Sequence, residues 1–198
     1  MGQQKNTIDY YDKHAEEFYY NTIDVEFDLL QECFLKKLKR GSYILDLGCG
    51  SGRDTKFFLQ QGFKVDAIDG SKELCKLANK FTGIEVKNMF FQELSEVDKY
   101  DGIWACSSIL HLQYEELFDV MKKMTIALKK NGIIYTSFKY GNFRGERNGR
   151  YFTDMTEEIF LDFLAGLKEL KVEEQWITSD ARPGRGEEKW LNLILRKI

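Results

Sequence analysis

The stretch ILDLGCGSGRD, from Ile44 to Asp54, constrains the fold more than any other part of the chain. An apolar run with strand character stops at Asp46 and Leu47 and gives way to glycines at alternate positions, Gly48, Gly50 and Gly52. Glycine accepts positive φ and lets another backbone or a ligand come close, because no Cβ intervenes. A strand that ends in such a turn and feeds a helix presents main-chain N–H groups at the helix start, where polar and anionic ligands are held. A chain built around this turn is expected to alternate strands with helices.

The rest of the sequence follows that alternation from about residue 41 onward, the pattern of a largely parallel sheet with crossover helices. Strands are predicted near 43–47, 64–68, 84–88, 101–106, 132–138, 171–178 and 190–196. Between them, DTKFFLQQG stops on Gly62, SKELCKLANKF opens on the capping residue Ser71, and YEELFDVMKKMTIALKKNG closes on Asn131-Gly132. The polar segment KYGNFRGERNGRYF reads as a loop, TEEIFLDFLAGL as a helix, and the last two strands as a hairpin that makes the final strand antiparallel. Two amphipathic stretches precede the first strand. The expected organisation is one domain over 1–198, with an N-terminal helical cap over 1–40 and an α/β core over 41–198.

Composition excludes several classes of function. Four scattered cysteines, Cys33, Cys49, Cys75 and Cys106, have no Cys-x-x-Cys pair and only two histidines to help them, so no metal site is expected and the thiols should be reduced. The formal net charge of −3 gives no overall field toward nucleic acid. No run approaches the roughly 20 apolar residues of a membrane helix, and the opening residues lack a secretory pattern. Asn6 stands where N-myristoylation of Gly2 would want Ser or Thr. The expectation is a cytoplasmic protein.

Two cofactor classes use a glycine turn of this kind. The dinucleotide fingerprint requires a third glycine where this chain has Arg53. Asp46 followed by Gly-x-Gly-x-Gly, with Asp69 ending KVDAIDGS at the second strand, resembles instead the class I, Rossmann-like methyltransferases that use S-adenosyl-L-methionine (SAM). The fourth strand, YDGIWACSSILHL, is similar to that family too, and the Gly-Arg continuation looks most like its small tellurite-resistance-type members. The resemblance implies a three-layer Rossmann-like sandwich with a seven-stranded, mostly parallel sheet in the order 3-2-1-4-5-7-6 and an antiparallel last strand. It implies that Gly48, Cys49, Gly50 and their neighbours Asp46, Gly52 and Arg53 contact the methionine part of SAM, and that Asp69 holds the ribose. Gly70 and Ser71 would lie beside the adenosine. Where the family often has an Asp for the adenine amino group, this chain has Phe90, so Met89 and Phe90 are expected to clamp the ring while a backbone N–H reads it. Ala105, Cys106 and Ser107 would lie near the sulfonium, and Tyr11 resembles the family's N-terminal aromatic over the cofactor. The product would be S-adenosyl-L-homocysteine (SAH).

Methyl transfer is an in-line displacement governed by positioning, with a base needed only when the nucleophile has a proton to lose. The chain lacks the Pro-Pro motif of base-amino methylation, the Pro-Cys nucleophile of cytosine-carbon methylation, and the carboxylate cluster of metal-dependent O-methylation. His111 is the candidate base near the fourth strand, although capping the next helix is an equal use for it. Tyr20, Tyr11 and Tyr140 are candidate polar tips of an acceptor pocket. The late loops carry Arg144, Arg147 and Arg150, then Arg182 and Arg185. Arg suits carboxylate and phosphate because its donors form a planar fork. The expected activity is methyl transfer to a small anionic or soft-nucleophile acceptor. A tRNA-modifying methyltransferase is the alternative, against which a pI near 5.6 weighs, and a non-catalytic SAM- or SAH-binding protein is a third reading. Partner subunits leave no mark in the sequence.

Overall fold

The computed structural model describes residues 2–182 and 184–198, with side chains from residue 6 onward; the lone proline, Pro183, lies outside the described residues. Three helices lead: α1 (Gly2–Lys13), α2 (Ala15–Thr22) and α3 (Asp28–Leu35). The alternating part begins with β1 (Tyr43–Leu47), α4 (Arg53–Gln60), β2 (Lys64–Asp69), α5 (Lys72–Thr82) and β3 (Val86–Asn88). It continues with β4 (Tyr100–Ala105), α6 (Tyr114–Ala127) and β5 (Leu128–Lys139). A small pair, β6 (Arg144–Arg147) and β7 (Arg150–Thr153), precedes α7 (Glu157–Leu164), β8 (Leu170–Ser179) and β9 (Lys189–Lys197).

Seven strands form one sheet in the order β3-β2-β1-β4-β5-β9-β8, with β9 antiparallel to both neighbours. This is the spatial order the resemblance implies, with β6 and β7 set aside as a separate two-stranded sheet. Successive residues of a strand face opposite sides, and the core divides accordingly. Leu45, Leu47, Ile103 and Ile134 meet α6 and α7 side chains on one face, whereas Ile44, Trp104 and Tyr135 meet Phe34 and Phe58 on the other. Trp104 stacks on Tyr135 with ring centroids 4.0 Å apart. Phe34 makes α3 part of this packed layer, since a Cβ on Gly102 would come within 2.7 Å of its ring.

Local signals held where capping chemistry was strong. Ser71 caps α5 by accepting from the Leu74 N–H at 3.1 Å, and Gly83 closes it at φ +82°. Two expectations are corrected. Helix α6 ends at Ala127 rather than at Asn131-Gly132, because buried Leu128 pairs with Tyr100 and starts β5 at once; Asn131, at φ +63°, lies in the bulge before Ile133 takes up pairing with Gly102. The segment read as a polar loop contains the β6–β7 hairpin, turned by Asn148 and Gly149 at φ +49° and +75°. Positive φ at both central residues is the twist that tight hairpins prefer.

Strands β1, β2, β4 and β5 run parallel, so their C-terminal ends share one edge. Ligands of open α/β sheets bind at that edge. Helix α1 and the β6–β7 hairpin close over it: the Tyr151 N–H donates to Thr7 Oγ1 at 3.1 Å. Among the described residues, no helix is long and apolar enough to cross a membrane.

Candidate active site

The C-terminal edge opens into a cavity of about 880 Å³. Its base is the turn after β1, where Gly48, Gly50 and Gly52 take φ of +85°, +55° and +82°. Two of these glycines serve packing. A Cβ on Gly48 would lie 2.5 Å from the Ser108 Cβ, and one on Gly52 2.8 Å from the Thr82 Cγ2. Gly50 sits beneath the Phe18 ring of α2, and Gly70 beneath Ile8 of α1.

Asp69 ends β2 and lines the cavity. Its carboxylate accepts the Gly50 N–H at 2.9 Å and the Ser71 N–H at 2.8 Å, one on each oxygen. Burial pushes the group up to about 6 against the pull of those two bonds. Each oxygen keeps a second acceptor position, so two vicinal hydroxyls fit the group chemically. The turn, this carboxylate and the adjoining apolar wall formed by Phe91 and Leu110 suit a nucleoside with a polar tail.

Asp46 does not reach the cavity. It is 2% exposed and accepts from Thr55 Oγ1 at 2.5 Å beneath the turn; burial, then the charge of Asp54, raises its carboxyl to about 8. Asp54 lies at the centre of a network that the sequence did not signal. It accepts from Gln31 Nε2 at 2.6 Å, Trp104 Nε1 at 2.8 Å and Arg53 Nε at 2.8 Å. Burial alone would raise this carboxyl, but the Arg53 charge and these bonds outweigh it and hold it low. Arg53 lines the cavity as part of this ion pair, its guanidinium 4.0 Å from the Phe27 ring centroid.

The opposite wall brings together His111, Tyr11 and Arg150. His111 Nδ1 is 2.7 Å from the Tyr151 carbonyl and must donate to it, which leaves Nε2 to accept from the Tyr11 hydroxyl at 2.9 Å. Burial pulls the imidazole down to about 4, the Tyr151 carbonyl opposing, so it is neutral at physiological pH. Burial likewise raises Tyr11, with Arg150 opposing.

The remaining predicted residues divide. Cys49, Cys106 and Ser107 line the cavity with Gly48, Gly50, Asp69, Gly70, Tyr11 and His111. Burial pushes the Cys106 thiol up to about 12, which disfavours a thiolate there. Ser107 stands at φ +51°, its N–H donating to Ser137 Oγ at 2.9 Å. Ser71, Gly52 and Ala105 are structural neighbours outside the lining: Ser71 is fully buried as a helix cap and donates to Asp12 at 2.6 Å, and Ala105 is fully buried in β4. Met89 is half-buried against the core and Phe90 is 45% exposed; neither lines the cavity, whereas Phe91 does. Tyr20 is 74% exposed on α2 and away from it, whereas Tyr140 lies at the rim.

Four of the five arginines line the cavity. Arg144 lies outside it, with its guanidinium 4.3 Å from the Tyr114 ring centroid. Arg147 is paired with Asp154, Arg182 with Asp180, and Arg185 with Glu188. The late-loop arginines are therefore mostly paired: among the described residues only Arg150 of the five lines the cavity without a carboxylate partner.

Comparison with known proteins follows the same lines. Residues 44–132 match the family described as methyltransferase domain. An N-terminal Xaa-Pro-Lys N-methyltransferase 1 of Xenopus tropicalis is 42% identical over 100 residues, 46% of this chain and 45% of the relative. An uncharacterized methyltransferase of Staphylococcus carnosus is 25% identical over 135 residues, 65% of each chain. The chain thus spans about half the length of the N-terminal methyltransferase relatives it matches. In fold it is similar to the crystal structure of Burkholderia thailandensis 1,6-didemethyltoxoflavin-N1-methyltransferase with bound 1,6-didemethyltoxoflavin and SAH, at TM-score 0.76 and 21% identity over 93% of this chain and 83% of that one. It is also similar to the SAH-bound magnesium protoporphyrin IX methyltransferase of Synechocystis, at TM-score 0.74 and 17% identity over 96% and 97%. Together with the strand order and the glycine turn, the family match shows a methyltransferase domain over residues 44–132, set in the Rossmann-like fold of the SAM-dependent methyltransferases to which the chain is similar.

Proposed function

We propose that the chain, acting as a single cytoplasmic domain, transfers the methyl group of SAM to a small anionic or soft-nucleophile acceptor. The observation that carries this reading is one continuous cavity joining Gly48, Gly50 and Asp69 to a wall of His111, Tyr11 and Arg150. Its volume of about 880 Å³ is near the upper end of the roughly 300–1,000 Å³ usual for small-molecule sites, room for a cofactor and an acceptor together. Gly48, Cys49 and Gly50 would hold the methionine part and Asp69 the ribose, with Gly70 and Phe91 along the adenosine. Bound SAM would supply an activated methyl group; the chain's own work is to hold the acceptor in line with it and to exclude water.

Calorimetric titration with SAM and SAH tests this. Micromolar binding is expected, weakened tenfold or more in Asp69→Ala through loss of charge-assisted hydrogen bonds. Absence of binding to either ligand would defeat the reading.

The likeness to N-terminal Xaa-Pro-Lys N-methyltransferases supports a second reading, an α-amine of a polypeptide as acceptor. A cationic amine calls for a carboxylate: Asp180 and Glu188 are paired with Arg182 and Lys139, and Glu26, Asp28 and Glu187 also line the cavity. Transfer of labelled methyl onto a synthetic peptide beginning Ser-Pro-Lys would favour that reading over the small acceptor.

A further inference from the structure

Arg150 occupies an environment that asks for an anion. Its guanidinium carbon stands 4.6 Å from the Tyr10 ring centroid and 5.4 Å from that of Phe152, and its Nε is buried with no hydrogen-bond partner. Its Nη1 lies 3.4 Å from the Tyr11 hydroxyl oxygen, a weak contact at best. A guanidinium flanked by aromatic rings, with its Nε shut off from water and unpaired, is best served by a counter-charge. None of the described carboxylates provides one. The cavity is the remaining direction from which one can come, and the planar fork of donors matches a carboxylate or phosphate.

The groups beside Arg150 form a directed chain. Tyr151 of the same hairpin fixes the His111 tautomer, His111 Nε2 accepts from Tyr11, and the Tyr11 oxygen keeps free acceptor positions next to Arg150. The charged and titratable groups around this pair come from every element packed there: Tyr10 and Tyr11 on α1, Asp69 on β2, Lys139 on β5 and Arg150 on β7, with Arg182 in the loop after β8. Arg150 and Lys139 both disfavour a second proton on His111. An anion paired with Arg150 would relieve the larger of these two effects.

We propose that the acceptor is an acid whose anionic group lies next to the O–H or N–H that is methylated, that Arg150 pairs with the anion, and that Tyr11 hands the departing proton to His111. This rests on the methyltransferase reading and names its substrate class. The acceptor's lone pair forms the bond to the methyl carbon as the carbon–sulfur bond breaks, its electron pair staying on sulfur. The acceptor's proton passes to the Tyr11 oxygen while the Tyr11 proton passes to His111 Nε2. The imidazolium so formed is offset by the acceptor's anion.

The experiment uses the full chain saturated with SAH, titrated with salicylate, inorganic phosphate and the uncharged analogue phenol. The two histidines make ring ¹⁵N spectra simple to assign with a His14→Gln variant. Expected are salicylate binding at least tenfold tighter than phenol, a tenfold or greater loss of salicylate affinity in Arg150→Gln, and SAH affinity in that variant within twofold of wild type. The His111 ring should show the Nδ1–H tautomer, and its Nε2 resonance should move on adding salicylate in wild type but not in Tyr11→Phe. Should Arg150→Gln fail to fold, Arg150→Lys takes its place and should lose salicylate affinity at least fivefold. Salicylate and phosphate binding that is absent, or indifferent to Arg150, overturns the proposal, as does an Nε2–H tautomer. If SAH itself does not bind wild type, the methyltransferase reading falls. If SAH binds and the anion results fail, only this inference falls.

Discussion

At the scale of single residues, Asp46 and Asp69 divide the work that the sequence assigned to both. Asp69 ends its strand and Asp46 stands one residue before the end of its own, and each was legible as an acid beside a glycine turn. What separates them is Thr55: the first turn of α4 points its hydroxyl back at Asp46 and closes that carboxyl off beneath the turn, while Asp69 meets backbone N–H groups at the cavity. Such a difference is set by how α4 lies on the sheet, and no residue spacing records it. It has a measurable sign. In the unfolded chain Asp46 ionises near the ordinary value of about 3.9, whereas in the fold it keeps its proton up to about 8. The stability linked to it is complete below the unfolded value and drains away as pH rises toward 8, because the unfolded chain then holds fewer protons. Asparagine does not titrate and can still accept from Thr55. Urea unfolding at pH 5 and pH 8 should therefore show Asp46→Asn gaining on wild type by a few kcal/mol over that interval, at up to about 1.4 kcal/mol per pH unit. A gap between the two proteins that stays constant would mean that Asp46 is ionised in the fold.

At the scale of elements, legibility followed burial. The sheet strands announce themselves as apolar runs because most are covered on both faces, and their order follows from the family resemblance. The β6–β7 hairpin has no such run: RGER and RYFT put four charged side chains, a threonine and one glycine into eight residues, and only Asn148-Gly149 marks the turn. An isolated two-stranded ribbon is marginal in water, so this one depends on what it docks against. Thr153 Oγ1 donates to the Leu112 carbonyl at 2.7 Å, and a Cβ on Gly149 would lie 3.2 Å from the Tyr10 ring. Gly149→Ala should consequently strain the turn at φ +75° and press on α1, costing about 1–2 kcal/mol of global stability in denaturant melts. Because the hairpin carries Arg150, salicylate affinity of the SAH complex should fall as well, while SAH affinity stays near wild type. Equal losses of both ligands would show that the hairpin supports the cofactor side too.

At the scale of the whole molecule, the N-terminal helices contribute to a site whose other parts lie far along the chain. Ile8 covers Gly70, Tyr11 bonds His111, Asp12 accepts from Ser71, and Phe18 covers Gly50. Amphipathic spacing predicted helix over the segment that the fold divides into α1 and α2; it could not say where that segment breaks or which face of the sheet edge it closes, since each contact joins positions that only the completed fold brings together. Their placement couples the cap to the cofactor. A ligand resting on Gly50 and Gly70 must share that space with Phe18 and Ile8, so binding should fix these helices against it. Hydrogen exchange followed by mass spectrometry, with and without saturating SAH, is expected to show slower exchange over α1, α2 and the β6–β7 hairpin in addition to the turn after β1. Saturation at about 100 times Kd stabilises the fold by roughly 2.7 kcal/mol, enough to raise Tm by about 5–10 °C for a chain of this length. Protection confined to 48–52 and 69–71 with the same rise in Tm would separate the two functions of the edge: the strand ends would bind the cofactor alone, and α1 would act only through Tyr11 on the acceptor side.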